Sequence, residues 1–202
     1  MARMRKLTTA RSLFGAVAAL VLITGCAATR TVPATPASTA FNPTGPPIGL
    51  TQVEGAKGEK VSLGDDLEAV MPAGSKSEPL DTDQQGITYW MSDKSFLRVI
   101  WGSPENASAL ALSWDEEISM KADPAISNYK RSIVKWQGAK SAVAATWALT
   151  VDQADGSPFT VDRLAIWVET PEGAVTIAMA TAVDGKLDGS TALNALRTLT
   201  VG

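Results

Sequence analysis

The stretch Val143-Ala144-Ala145-Thr146-Trp147-Ala148-Leu149-Thr150-Val151 decides the fold, because large and small side chains alternate along it. A period of two is typical of a β-strand, whose successive side chains point to opposite faces of a sheet. Two further alternating stretches follow at 159–169 and 174–182, and the turns before them contain Asp155-Gly156 and Glu172-Gly173. The sequence therefore predicts a three-stranded antiparallel meander.

Shorter segments that read as strands precede the meander. They lie at residues 60–63, 67–71, 87–91, 95–101 and 129–136. The turn Ser92-Asp93-Lys94 predicts that two of them form a hairpin, in which Leu97, Val99 and Trp101 share one face.

A helix is predicted between the hairpin and residue 123. Ser103 is a suitable N-cap, and Pro104 suits the first turn. Apolar side chains then recur at helical spacing, namely Ala107, Leu110, Ala111, Trp114 and Ile118. We expect this side to pack on the sheet and the acidic residues Glu116 and Glu117 to face water. A second helix, capped by Ser190, closes the chain.

These elements place residues 53–202 in a single domain, which is large enough for one hydrophobic core. The predicted fold class is α+β: an antiparallel β-sheet, organised as a meander, with helices packed on its face or faces. No internal repeat of 20–50 residues interrupts this pattern.

Residues 1–25 have the composition of a secretory signal peptide. Four basic residues and no acidic residue accompany an apolar run, Leu13–Ile23. That run has eleven residues, whereas a helix that spans a membrane needs roughly 20. The charge bias keeps the N-terminus in the cytoplasm and directs the rest of the chain across the membrane.

The tetrapeptide Ile23-Thr24-Gly25-Cys26 contains the only cysteine of the sequence. It resembles the lipobox of bacterial lipoproteins, in which an apolar residue and two small residues precede a cysteine. The resemblance implies cleavage between Gly25 and Cys26 and attachment of fatty acids, such as palmitate, to Cys26. Two or more acyl chains hold a protein stably at a membrane, so we expect a lipid-anchored protein at the extracytoplasmic face of the cell membrane. An ordinary signal peptide with an unmodified cysteine is the alternative.

Residues 26–52 are rich in Pro, Thr and Ala. Prolines prevent regular helix and remove backbone donors, and large apolar residues are few. We therefore expect a flexible tether between the lipidated cysteine and the domain.

The composition excludes several kinds of chemistry. The sequence contains no histidine, which excludes Ser-His-Asp and Cys-His hydrolases and His-ligated zinc. Because Cys26 is assigned to lipid attachment, thiol catalysis is excluded as well. Without residues 1–25 the net charge is about −7, which argues against nucleic-acid binding. We therefore expect no catalytic residue, no cofactor and no metal.

The order of elements resembles a known fold. An opening strand that ends in Val70-Met71-Pro72-Ala73-Gly74, a hairpin, a helix, a long meander and a Leu-rich final helix resemble the PsbP-like α/β/α sandwich. Small lipoproteins of actinobacteria, of the LpqN/LpqT type, use this fold. The resemblance implies a non-enzymatic binding or accessory module of the cell envelope, and it matches no functional residue to a position of this sequence.

Two tryptophans suggest a binding surface. Trp167 shares its strand face with Arg163, opposite Leu164, Ile166 and Val168. If one sheet face is partly uncovered, Trp90, Trp167 and Arg163 form a surface for an envelope partner protein or a small apolar ligand. The alternative is that a second helix layer covers them.

Two other functions compete with this one. A lipid or glycolipid carrier needs an internal apolar cavity, for which the small residues Ala144, Ala148, Ala174 and Ala178 leave room; a packed helix would fill the same space. A glycosidase that uses only carboxylates is the third hypothesis, and no spacing of acidic residues favours it.

Overall fold

The structure is a computed structural model, and it describes residues 41–43, 45–64, 67–81, 84–102 and 107–202. The predicted signal peptide, Gly25, Cys26 and the tether up to residue 40 lie outside the described residues. Residues Ser38–Gly202 form one compact unit, and both buried apolar clusters of the domain lie within it. A unit with its own core is expected to fold independently.

The described residues form ten strands and two helices. The strands are β1 (Glu59–Ser62), β2 (Leu67–Met71), β3 (Lys76–Pro79), β4 (Gln85–Trp90), β5 (Phe96–Trp101), β6 (Ile126–Ile133), β7 (Ser141–Asp152), β8 (Pro158–Glu169), β9 (Val175–Val183) and β10 (Thr200–Val201). The helices are α1 (Ala109–Ala122) and α2 (Thr191–Leu196), and a short 3-10 turn, Leu187–Gly189, precedes α2. This architecture confirms the predicted α+β class.

Seven strands form the main antiparallel sheet in the order β3-β4-β5-β9-β8-β7-β6. The predicted meander is its centre, β7-β8-β9, in which Leu164 pairs with both Thr146 and Ala180. The predicted hairpin, β4-β5, joins this sheet because β5 pairs with β9. Strands β1, β2 and β10 form a second, smaller sheet with β2 at its centre.

The centre of the main sheet is buried on both faces. On one face an apolar cluster lies under α1 and includes Val143, Ala145, Trp147, Ala165, Trp167 and Val175. On the other face a larger cluster joins the main sheet to β2 and α2 and includes Leu67, Leu97, Leu164, Ile166 and Leu196. Strands buried on both faces need apolar side chains at nearly every position, which explains the small apolar residues between the large ones in β7.

Helix α1 begins later than predicted and packs through a partly different side. Its N-cap is Ser108, whose hydroxyl accepts a hydrogen bond from the Ala111 N–H at 3.1 Å; Ser103 lies outside the described residues. Ser113 is fully buried, whereas Ile118 is exposed. The predicted apolar side is right for Leu110, which packs against the cluster under the helix, and wrong for Ile118. The helix face also includes Ser113 and Glu117, which bind Arg131 of β6, and hydrophobic periodicity does not detect a polar contact of this kind.

Strand β6 lies three residues earlier than the predicted segment 129–136. Its pairing with β7 shifts between Ser127 and Lys130, and Asn128 has a left-handed backbone with φ 57°. A β-bulge of this kind adds one residue to the strand and interrupts the alternation of side chains between its two faces. The alternation in the sequence therefore predicts the wrong start and end for β6.

The predicted tether is wrong for residues 45–52, which we call the strap. The Ile48 N–H donates to Ser132 Oγ at 2.9 Å, and the side chain of Gln52 bonds both the Leu199 carbonyl and the Gln137 N–H. Leu50 is buried in the larger apolar cluster. The domain therefore begins before residue 53, because a few apolar residues in a Pro-rich segment cover the core.

Helix α2 begins as predicted, at Ser190. The Ser190 hydroxyl accepts a hydrogen bond from the Leu193 N–H at 3.1 Å. Asp93, in the β4-β5 turn, accepts a second one from the Thr191 N–H at 2.8 Å. These contacts tie the hairpin turn to the first turn of α2. Neither described helix is long and apolar enough to cross a membrane.

Candidate functional site

The sheet face under α1 is covered only in part. Among the described elements, α1 packs on this face over β6, β7 and β8, while the same face of β9, β5 and β4 extends beyond the helix. We call this second area the open face. Thr88 and Thr181 on this face are buried. The half-buried or exposed side chains of the open face are Trp90, Phe96, Arg98, Ile100, Ile177 and Met179.

Cross-strand register places Trp90 and Arg163 in one line on this face. Trp90 pairs with Phe96, Phe96 with Thr181, and Thr181 with Arg163. Directly paired residues point to the same face and have Cα atoms about 5 Å apart, so Trp90 and Arg163 lie about 15 Å apart across the strands. Arg163 thus stands at the border between the open face and α1.

Trp90 and Phe96 form an ordered aromatic platform. The two ring centroids lie 5.0 Å apart with a 48° tilt. The Trp90 Nε1–H donates to Glu78 Oε2 at 3.1 Å, and the Arg98 guanidinium carbon lies 5.9 Å from the Phe96 centroid. Trp90 remains 44% exposed. Fixed, partly exposed aromatic rings lose little conformational entropy when a ligand binds them.

Trp167 is not part of this surface, which corrects one of the three predicted residues. It is only 2% exposed and belongs to the apolar cluster under α1. The cause is position along the strand: Trp167 and Arg163 share a face of β8, but the helix covers the end that contains Trp167. The alternative interpretation, a helix layer over the tryptophan, holds for Trp167 and fails for Trp90.

Arg163 lies in an unusual electrostatic environment. Burial lowers the pKa of Arg163, the positive charge of Arg98 lowers it further, and Glu116 acts against both. Burial in turn raises the pKa of the Glu116 carboxyl, and Arg163 acts against that effect. The half-buried Glu116 side chain therefore lies near Arg163, at the border between α1 and the open face. The prediction that Glu116 faces water is wrong.

A second charged cluster, on the other flank of α1, is internally satisfied. The buried Arg131 guanidinium pairs with Glu117 at 2.8 Å and donates to Ser113 Oγ, to the Leu110 carbonyl and to the Phe41 carbonyl. It also lies 5.2 Å from the Trp114 ring. Glu117 was expected to face water, and this too is wrong. Such a saturated arginine holds α1 and β6 together and has little capacity left for a ligand.

In the part of the chain that the structure describes, α2 packs against the small residues of the meander, which is the alternative to a carrier cavity there. Ala144 and Ala178 are fully buried in the larger cluster together with Leu193 and Leu196 of α2. A groove of about 490 Å³ does exist, lined by Gln52, Lys60, Val70 and Val201 among others. It lies between the strap and the small sheet, away from Trp90 and Arg163.

Sequence reasoning missed Phe96, Arg98 and Thr181. The signal was present, because the face of β5 opposite Leu97 and Val99 has to present Phe96, Arg98 and Ile100. Phe96 and Arg98 lie near Arg163 only because β5 pairs with β9, which joins distant parts of the chain. Within the described part of the chain, no group of three or more potential metal ligands comes together.

Comparison with known proteins adds little to this geometry. No protein-family model and no curated protein matches the chain. One solved structure that is similar is the crystal structure of LpqN, involved in cell envelope biogenesis of Mycobacterium tuberculosis. The sequences are 17% identical, the match covers 73% of this chain and 87% of LpqN, and the TM-score is 0.33. Functional conclusions therefore rest on the residues of this chain.

Proposed function

We propose that the protein is a lipid-anchored, non-enzymatic binding module of the cell envelope, and that its open face binds a small apolar ligand. The observation behind the proposal is the Trp90–Phe96 platform, an aromatic pair of which Trp90 is exposed and Phe96 half-buried. Exposed apolar areas with a structured border are typical of ligand or partner sites.

The location follows from the sequence of the first 26 residues. A positively charged start, a short apolar run and Ile23-Thr24-Gly25-Cys26 support export and lipid attachment at Cys26. An acylated N-terminus would hold the domain close to the outer surface of the membrane, where apolar envelope molecules are concentrated.

The dimensions of the open face favour a small ligand over a partner protein. The area covers β9, β5 and β4 and about five residues along each strand, which is roughly 15 Å by 17 Å, or about 250 Å². A stable protein interface buries about 800 Å² on each partner. The open face matches a single acyl chain or a ring system far better.

The absence of histidine and the assignment of the one cysteine to lipid attachment support binding without turnover. No histidine exists in the chain, and its one cysteine belongs to the predicted lipobox. The charged side chains described at and beside the open face are those of Lys76, Glu78, Arg98, Glu116 and Arg163, and arginines suit recognition of an anionic group.

Binding of a neutral fluorescent probe tests this proposal. We expect N-phenyl-1-naphthylamine, whose emission rises in apolar sites, to bind the Ser38–Gly202 unit saturably. Trp90→Ala should weaken that binding roughly tenfold, since loss of an aromatic anchor costs more than about 1.4 kcal/mol. The melting temperature should change little, because the indole is 44% exposed.

Ile133→Ala is the matched control, since Ile133 is an exposed apolar residue on β6, at the opposite edge of the sheet. It should leave probe binding unchanged. Absence of saturable binding, or equal loss in both variants, would refute a ligand site at the open face.

A further inference from the structure

The open face also contains polar groups that lack partners. Thr181 is 2% exposed, and its hydroxyl makes no hydrogen bond within the described structure. Arg163, its cross-strand partner, has a buried Nε–H that is likewise unpaired there. A buried donor without a partner is destabilising by about 1–3 kcal/mol, so two adjacent ones in a native fold need an explanation.

The two arginines of this area have no carboxylate that fully compensates them. Among the described ion pairs, none includes Arg98 or Arg163. Arg98 has one long hydrogen bond, from its Nε to Thr88 Oγ1 at 3.4 Å. Arg131, on the other flank of α1, shows the contrast, since it has a carboxylate and three hydrogen-bond acceptors.

The charge balance at the open face is positive in a chain that is acidic overall. Arg98 and Arg163 influence each other electrostatically, and Glu116 acts on Arg163 in the opposite sense. In the neighbouring strand β3, Lys76 pairs with Trp90 and Glu78 with Thr88, so both side chains share this face. Among the described residues, three cations against two carboxylates leave about one uncompensated positive charge. An added anion would relieve the repulsion and supply the missing acceptors at Arg163 and Thr181.

We propose that Arg163, Arg98 and Thr181 form an oxyanion subsite, so that the ligand of the open face is an acidic amphiphile. Its carboxylate or phosphate group accepts hydrogen bonds from Arg163 and Thr181, with Arg98 as a second cation. Its apolar chain runs along the strip toward Phe96 and Trp90, about 15 Å away. Arginine suits both oxyanions because its planar fork presents parallel N–H donors. This inference rests on the proposed function and specifies the chemistry of its ligand.

The test compares probes that differ only in the head group. Sodium decanoate, decyl phosphate and 1-decanol are titrated below their aggregation limits against the Ser38–Gly202 unit by displacement of N-phenyl-1-naphthylamine. At least one anionic probe should bind about tenfold more tightly than decanol, because a hydrogen bond to a charged group contributes at least that factor. Tighter binding of decanoate indicates a carboxylate ligand, and tighter binding of decyl phosphate indicates a phosphate.

Three variants locate the effect. Arg163→Gln should remove the preference for the anionic probe and leave decanol binding unchanged, and Thr181→Val should reduce the preference several-fold. Arg197→Gln is the matched control, because Arg197 is also half-buried with an unpaired Nε but lies at the end of α2. If Arg163→Gln impairs folding, Arg98→Gln gives the same readout at a residue less involved in packing.

Equal affinity for decanoate, decyl phosphate and decanol, with all three weakened by Trp90→Ala, would overturn the oxyanion subsite and leave the proposed function intact. An anionic preference that survives both arginine substitutions would also overturn it. If no probe displaces the fluorophore and none binds, both proposals fail.

Discussion

At the scale of single residues, surroundings decide what each charged side chain does. Arg131 and Arg163 both lie on the α1 face of the main sheet. The Nε atoms of both arginines lack a hydrogen bond of good geometry, but the Nε of Arg131 forms an ion pair with Glu117 at 2.8 Å, and its other nitrogens donate to Ser113 and two carbonyls. Arg163 is in none of the described ion pairs. Arg131 therefore joins α1 to β6, and the proposed ligand role falls to Arg163.

The ion pair between Arg131 and Glu117 gives a prediction about stability. Glu117→Ala should lower the free energy of unfolding by about 3 kcal/mol, because it leaves a buried guanidinium without its carboxylate. Lys121→Ala removes an exposed partner of the same glutamate and should cost less than about 1 kcal/mol. Urea unfolding of both variants measures the difference, and equal losses would show that burial of Arg131 does not matter.

At the scale of elements, α2 is held by a residue from a distant turn. Burial raises the pKa of Asp93, but hydrogen bonds from Ser95 and Thr191 outweigh it and lower that pKa to about 2. The folded pKa is below the ordinary value of 3.8, so the ionised carboxylate stabilises the folded state. That contribution is complete above about pH 4 and is lost as the pH falls toward 2.

Asp93→Asn should therefore flatten the dependence of the unfolding free energy on pH between about 4 and 2. The measurement is urea unfolding at half-unit pH steps for the wild type and the variant. The two curves should approach each other toward pH 2, where Asp93 is protonated in the unfolded state and about half protonated in the folded state. Parallel curves throughout this range would mean that the turn and α2 are not coupled through this carboxylate.

The strap is a second element whose role depends on packing. Leu50 is 5% exposed and Val53, three residues later, is 47% exposed. Leu50→Ala should cost about 2–3 kcal/mol through lost burial and a cavity, whereas Val53→Ala should change stability by less than about 0.5 kcal/mol. Thermal or urea unfolding separates the two cases. If Leu50→Ala left the free energy of unfolding unchanged, residues 45–52 would be part of the tether and not of the folded domain.

At the scale of the whole molecule, the proposed membrane location depends on the sulfur atom of Cys26. Cys26→Ser in the full-length chain should abolish acylation, so that the protein appears in the soluble fraction or as an uncleaved precursor. Membrane fractionation combined with mass spectrometry of the N-terminal peptide measures both outcomes. An acylated, membrane-bound Cys26→Ser protein would refute lipid attachment at this residue.

The strands of the meander were predictable from sequence because a period of two is a local property. Residues 143–151, 159–169 and 174–182 alternate clearly, and the structure places β7, β8 and β9 there. The Ser190 cap of α2 was predictable for the same reason, since a hydroxyl at an N-cap bonds an N–H three residues later. Export and lipid attachment are likewise predicted from a contiguous motif, because targeting signals are read from the unfolded chain.

The candidate site was decided by tertiary structure. Trp90 and Trp167 look alike in the sequence, but Trp167 is buried under α1 and Trp90 is exposed, because α1 packs over β6, β7 and β8 and not over β4. Arg163, Thr181 and Phe96 lie in one line because β9 pairs with both β8 and β5, and Phe96 and Thr181 are 85 residues apart in the sequence. Local patterns specify which face of a strand a residue occupies; only the packing of distant elements determines which part of that face meets solvent.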